Sequence, residues 1–159
     1  MAKKKIIFLD FDGVMDTSFM KISLTKERPA LSDEYGLLFD EECVESLKKI
    51  IDATNADIVV TSSWKLDMNL EKLQEMWKRR KLPGNVIDVT PNLIGSRSEE
   101  ISAWLEVHSG NNIRYIIIDD MSADFFDFPV SEHLINVNPY VGLDSLSADV
   151  VIKYFELNI

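Results

Sequence analysis

Three short runs of this chain, at residues 6–9, 58–60 and 115–118, are apolar at consecutive positions instead of every second one. A strand turns successive side chains to opposite faces, so such runs must be covered on both sides, as in a parallel sheet. Residues 86–89 and 134–137 add two further strand-like runs. Helical patterns lie between them. Val44, Leu47 and Ile51 sit at helical spacing, with Asp40 as the expected N-cap and Glu41 and Glu42 in the first turn. Leu66, Leu70, Leu73 and Trp77 make a second stripe, which ends in the basic run Lys78-Arg79-Arg80-Lys81 before Pro83-Gly84. Ile101, Trp104, Leu105 and His108 make a third, and Val150, Val151, Tyr154 and Phe155 a fourth. Strand and helix alternate throughout, which predicts an α/β fold with a parallel sheet and right-handed crossovers.

No repeat, low-complexity tract or linker divides the chain, so its 159 residues are read as one domain, 1–159. The alternation breaks only at residues 14–40. There Met20-Lys21-Ile22-Ser23-Leu24 is apolar at every second position, and Pro29 and Gly36 follow. A small β-hairpin or flap beside the first strand is expected in this insert, an irregular loop being the alternative.

The formal charge of −10 argues against a general nucleic-acid or membrane binder, and no stable nucleic-acid partner is expected. Lys3-Lys4-Lys5 followed by apolar residues imitates a signal peptide, but the run stops at Asp10, and no other stretch is long enough to span a bilayer. The expected location is the cytoplasm. The one cysteine, Cys43, lies in a helical pattern and reads as a small core residue. His108 and His133 have no ligand-like spacing and read as structural or surface residues.

Sites in open α/β sheets form beyond the carboxyl ends of the strands. The first run ends in Asp10-Phe11-Asp12-Gly13, the second in Thr61-Ser62-Ser63-Trp64-Lys65, and the fourth in Asp119-Asp120. Asp10 and Asp12 would point the same way, and Gly13 allows a sharp turn after them. Ser96 and Glu99 have capping-box spacing, which puts Arg97 in the first turn of the third helix, a favourable setting for an anion. Taken singly, each segment is an ordinary turn or cap. Together they bring four carboxylates, a hydroxyl cluster and a cation to one edge of one sheet. Carboxylates so crowded call for a cation, and hard oxygen ligands in small number favour Mg²⁺.

The order Asp10-Phe11-Asp12-Gly13, Thr61, Arg97, Asp119-Asp120 resembles that of the haloacid dehalogenase (HAD) superfamily of phosphotransferases across essentially the whole chain. More narrowly, four segments are similar to the HAD-type domain of bacterial RNA-repair ("Swiss army knife") proteins. They are residues 8–14, Thr61-Ser62-Ser63-Trp64, Arg97 with Glu100-Ile101 and Trp104-Leu105, and Ile118-Asp119-Asp120. The resemblance implies a Rossmann-like three-layer sandwich with a five-stranded parallel sheet and no large cap. It also implies a Mg²⁺-dependent phosphatase. Asp10 would attack phosphorus and become an aspartyl-phosphate. Asp12 would protonate the leaving oxygen, later deprotonate the hydrolytic water, and lend its backbone carbonyl to the metal. Thr61, Ser62, Gly13 and Arg97 are the implied phosphate-binding residues, and Asp10, Asp12, Asp119 and Asp120 the implied metal site.

Two choices stay open at this level. Lys65 competes with Arg97 for the cationic role, and Ser62 competes with Thr61. Asp12 together with Asp119-Asp120 favours phosphoester cleavage over carbon–halogen cleavage. With only 14–40 available as a cover, the open site suits a phosphate on a nucleotide, a polynucleotide end or another phosphomonoester. The basic run at 78–81 would contact phosphates or simply complement its own helix dipole, and Trp64 would stack on a base or belong to the core. Two other readings compete: a catalytically silent HAD-like binding module, and a receiver-type phospho-acceptor domain. A receiver would place its acidic pair after the first strand, whereas here the pair comes fourth. No Gly-x-x-x-x-Gly-Lys loop occurs, which argues against a nucleotide kinase.

Overall fold

The computed structural model describes residues 3–18, 32–108 and 112–157. The chain runs from β1 (Lys4–Leu9) through a hairpin of β2 (Ser32–Asp33) and β3 (Gly36–Leu37) to α1 (Glu41–Thr54). Then come β4 (Asp57–Val60), α2 (Leu70–Arg79), β5 (Val86–Val89), α3 (Arg97–His108), β6 (Ile113–Asp119), β7 (Leu134–Asn136) and α4 (Ser145–Glu156). Five strands form one parallel sheet in the order β5-β4-β1-β6-β7. β1 is central, and the chain leaves it first toward β4 and β5, then crosses back to β6 and β7. That reversal beside β1 is where an α/β sheet opens a crevice for a ligand. Counted along the parallel strands the order is 3-2-1-4-5. A receiver domain is wound 2-1-3-4-5, so strand order separates this chain from that reading.

Both faces of the sheet are covered, which is why its strands are apolar without alternation. Ile7, Leu9, Ile58, Val60, Ile116 and Ile118 face α1, α2 and α4, meeting Leu47, Ile50, Leu73, Met76, Val151 and Phe155. Ile6, Phe8, Val59 and Ile117 face Ile101 and Trp104 of α3. Each fully buried side chain of this size contributes about 1.5–3 kcal/mol of transfer free energy. Phe8 is held edge-on by Trp104 and Tyr115, with ring centroids 5.4 and 5.6 Å away.

Helix boundaries follow their caps. Asp40 accepts the Glu42 N–H at the start of α1, and Asn55 ends that helix in the left-handed region at φ 57°. Asn69 caps α2 and Asp144 caps α4 through their side chains. Asn69 sets the true start of the second helix, so Leu66 is not part of its stripe. Leu66 instead ends the 3₁₀ turn Ser63–Leu66 and is exposed. In α4 the buried positions are Ala148, Val151 and Phe155, while Val150 turns to solvent. His108 stacks on Trp104 and His133 on Tyr115, each in a packing role. Cys43 is buried, and burial pushes its thiol up to about 12.

A small hairpin is present in the 14–40 insert, formed by β2 and β3; the Met20–Leu24 segment lies outside the described residues. The hairpin is tied to α2 by polar contacts. The Arg80 guanidinium grips both carboxylate oxygens of Asp33, at 2.9 and 2.6 Å, and donates to the Gly36 carbonyl. Arg79 reaches Glu34 at 3.4 Å, and the Tyr35 hydroxyl donates to Glu75 at 2.7 Å. Two residues of the basic run therefore anchor the hairpin, a use that neither sequence reading of the run anticipated. Among the described residues no helix is long and apolar enough to cross a membrane.

Candidate active site

Strand register assembles the site. Leu9 lies opposite Val60 on one side and Ile118 on the other. The next residue on each strand is Asp10, Thr61 and Asp119, so these three stand in a row across the sheet's carboxyl edge. The Asp10 N–H donates to the Ile118 carbonyl and the Thr61 N–H to the Leu9 carbonyl, which carries the ladder one residue beyond the strands.

Asp10 and Asp119 are buried, and one guanidinium nitrogen of Arg97 spans them, 3.0 Å from Asp10 Oδ2 and 2.7 Å from Asp119 Oδ2. Arg97 is the first residue of α3, and Ser96 Oγ before it accepts the Glu99 N–H, as the capping-box spacing predicts. The other oxygens are also engaged. Asp10 Oδ1 accepts the Phe11 N–H and Asp119 Oδ1 the Met121 N–H, both at 2.9 Å. After Asp10 the chain coils tightly, with the Phe11 carbonyl accepting from Val14, Met15 and Asp16. Gly13 sits there at φ 82°, and a Cβ on it would strike the Asp120 carboxylate. Glycine at 13 thus provides both the turn and the space into which Asp120 reaches.

Asp10, Asp119 and Asp120 each present a carboxylate oxygen, all within 4.8 Å of one another. One guanidinium does not balance three carboxylates at this spacing. Burial, then the nearby Asp119, push Asp10 up to about 7 against the pull of Arg97. Asp120 is raised for the same two leading reasons. A site that holds a proton for want of positive charge is one where a divalent cation can replace it. All-oxygen donors in small number suit Mg²⁺, so the residues present fit the implied ion. The side chain of Asp12 stands outside this trio. It is exposed, and its Oδ1 accepts the indole N–H of Trp64 at 3.2 Å.

The two open choices differ in placement. Thr61 is buried, and its hydroxyl has no hydrogen-bond partner among the described residues. Ser62 Oγ accepts the Trp64 N–H and caps the 3₁₀ turn. Lys65 turns away from the aspartates. Its ammonium lies 2.7 Å from Glu100 Oε1, 3.2 Å from Thr90 Oγ1 and 3.4 Å from the Pro91 carbonyl. Sequence reasoning missed both the Lys65–Glu100 pair and the Trp64–Asp12 bond. Each joins residues distant in the chain, and no spacing rule points to either.

No curated protein resembles the chain closely enough to count as a match. Residues 6–148 match the family described as the HAD domain in Swiss Army Knife RNA repair proteins. The matched span runs from the first strand into the last helix and contains every residue of the site. The chain belongs to this family of HAD domains.

Proposed function

We propose that this domain is a Mg²⁺-dependent phosphatase that cleaves phosphomonoesters through an aspartyl-phosphate. The observation that carries the reading is the row Asp10, Thr61, Asp119 with Arg97 bridging its two acids. A carboxylate of Asp10 attacks phosphorus in line, forming the acyl-phosphate bond as the bond to the leaving oxygen breaks. Asp12 gives that oxygen a proton. Asp12 then takes a proton from water as the water attacks the same phosphorus, which releases phosphate and restores Asp10. The Thr61 hydroxyl, without a partner among the described residues, donates to a phosphoryl oxygen, and Arg97 offsets charge that builds on the transferring group. Ser62, at the turn after β4, and Gly13, in the coil after β1, are the further phosphate-binding residues of this reading. Asp10, Asp119, Asp120 and the Asp12 carbonyl would hold Mg²⁺, which supplies Lewis-acid stabilisation of phosphoryl oxygens.

The substrate we favour is a phosphorylated nucleotide or nucleic-acid end, met in the cytoplasm. The family description places such domains in RNA repair proteins, and among the described residues the insert contributes only a short hairpin beside the site. The test is phosphate release by purified protein from p-nitrophenyl phosphate and from 5′- and 3′-phosphorylated oligoribonucleotides, with Mg²⁺ and with chelator. Release should require Mg²⁺. It should vanish in Asp10→Asn and fall by about 10²-fold or more in Asp12→Asn, with both variants folded by circular dichroism. Tight binding of the oligonucleotides without any release would favour the silent binding module instead.

A further inference from the structure

We propose that Trp64 is the positioning residue for Asp12, and that the β2–β3 hairpin holds Trp64 in place. This rests on the phosphatase reading above, because it concerns the group assigned the proton transfers. Asp12 is an exposed aspartate on a loop, and exposed side chains of this kind change rotamer freely. General acid–base catalysis needs the opposite, a carboxyl within hydrogen-bond reach of one defined oxygen. Among the described residues, Trp64 alone provides a side-chain anchor, its Nε1–H donating to Asp12 Oδ1 at 3.2 Å. An indole N–H can only donate. With Oδ1 so engaged, Oδ2 is the oxygen left to carry the proton.

The donor is itself immobilised. Ser62 caps the turn that bears Trp64, directly after Thr61. The indole is met edge-on by Phe11, centroids 5.3 Å apart, and at a tilt by Phe39, 5.8 Å apart. Gly36 of β3 lies so close to the ring's far edge that a Cβ there would come within 3.3 Å of it. Gly36 is fixed in turn because Arg80 donates to its carbonyl while gripping Asp33. The same guanidinium lies over the Phe39 ring at 5.2 Å and toward the Trp64 ring at 6.0 Å. A continuous set of contacts therefore runs from the end of α2, through the hairpin and the indole, to Asp12. It explains why a short hairpin beside the site carries a bidentate arginine, and why that arginine is largely buried, with 8% of its side chain exposed.

The test separates proton transfer from folding by varying the leaving group. A poor leaving group such as an alkyl phosphate depends on the acid; 2,4-dinitrophenyl phosphate scarcely does. Trp64→Phe, and a protein carrying benzothienylalanine at 64 to remove only the N–H, should lose at least about tenfold more first-step rate on the alkyl ester than on the dinitrophenyl ester. The loss should appear in kcat and not in KM. Asp33→Asn, which loosens the hairpin, should show the same bias more weakly. Equal losses on both esters would overturn the proposal and leave Trp64 with a packing role. The indole N–H resonance of Trp64 provides a readout independent of turnover. It should move in Asp12→Asn and stay put in Asp120→Asn. An unmoved resonance overturns the proposal even if the phosphatase reading stands; a moved resonance in a protein without phosphatase activity rejects that reading and leaves only the contact.

Discussion

Replacing Lys65 by methionine should destabilise the protein severely while leaving every carboxylate of the site in place. The Lys65–Glu100 pair is short, at 2.7 Å, and only 4% and 13% of the two side chains is exposed. Removing the ammonium leaves a carboxylate enclosed without its partner, a change that costs about 3–5 kcal/mol. Glu100 keeps one compensation, since its Oε2 accepts the Leu93 N–H at 3.0 Å. The lower end of the range, about 3 kcal/mol, is therefore expected. In a domain of this length that corresponds to a fall in Tm of roughly 6–12 °C. Thermal and urea unfolding at pH 7, followed by circular dichroism, measure it. The double variant Lys65→Met/Glu100→Met removes both charges and should recover most of the loss, because well-packed apolar pairs often replace buried ion pairs at little cost. A single variant within about 1 kcal/mol of wild type would refute the reasoning, since a surface pair is worth no more than that. So would a double variant no more stable than the single one. The same protein tests the rival role for this lysine. A catalytic Lys65 would give a folded, stable and inactive Lys65→Met.

Two further outcomes follow from the crowded acids. Asp10 carries a folded-state value of about 7 against an ordinary 3.8, so between these values the folded chain binds more protons than the unfolded one. The contribution of Asp10 to the stability of the metal-free protein should therefore fall as pH rises from about 4 to about 7, by a few kcal/mol in total, and level off above. In Asp10→Asn with chelator present this contribution to the slope should disappear; identical slopes for wild type and Asp10→Asn through the window would contradict the assignment. Adding Mg²⁺ at pH 8 to about a hundred times its dissociation constant should stabilise the wild type by about 2.7 kcal/mol. Asp120→Asn should respond much less in the same thermal-shift measurement, and an equal response would remove Asp120 from the ligand set.

The parallel sheet was readable because its strands obey a rule that needs no tertiary information: a strand buried on both faces is apolar at consecutive positions. The same runs placed Asp10, Thr61 and Asp119 at strand ends, and one register, with Leu9 opposite Val60 and Ile118, was enough to align them. Arg97 was readable through Ser96 and Glu99, whose spacing defines a helix start locally. What could not be read was any pairing set by the relative rotation of two elements. Lys65 and Arg97 both stand near the start of a helical turn, and only the face that α3 presents to the loop after β4 sends Lys65 to Glu100. The stripe that included Leu66 failed for a different reason. Spacing of four residues continues equally well through a 3₁₀ turn and a new helix, and the break lay in the Asn69 cap.

The basic run at 78–81 shows how such pairings bear on function. Its charge suits a phosphate and its position suits a helix dipole, and both arguments are local. The structure gives Arg79 and Arg80 acidic partners on the hairpin, Glu34 and Asp33. Those partners sit one turn of chain away from Gly36, which walls the indole that meets Asp12. The insert therefore has a structural link to the first acidic motif that does not depend on covering a substrate. A large cap encloses a small molecule and orders the site by closing on it. Here a buried arginine holds a short hairpin against Trp64, and on the function proposed above the indole orders Asp12 without the hairpin having to close over a substrate.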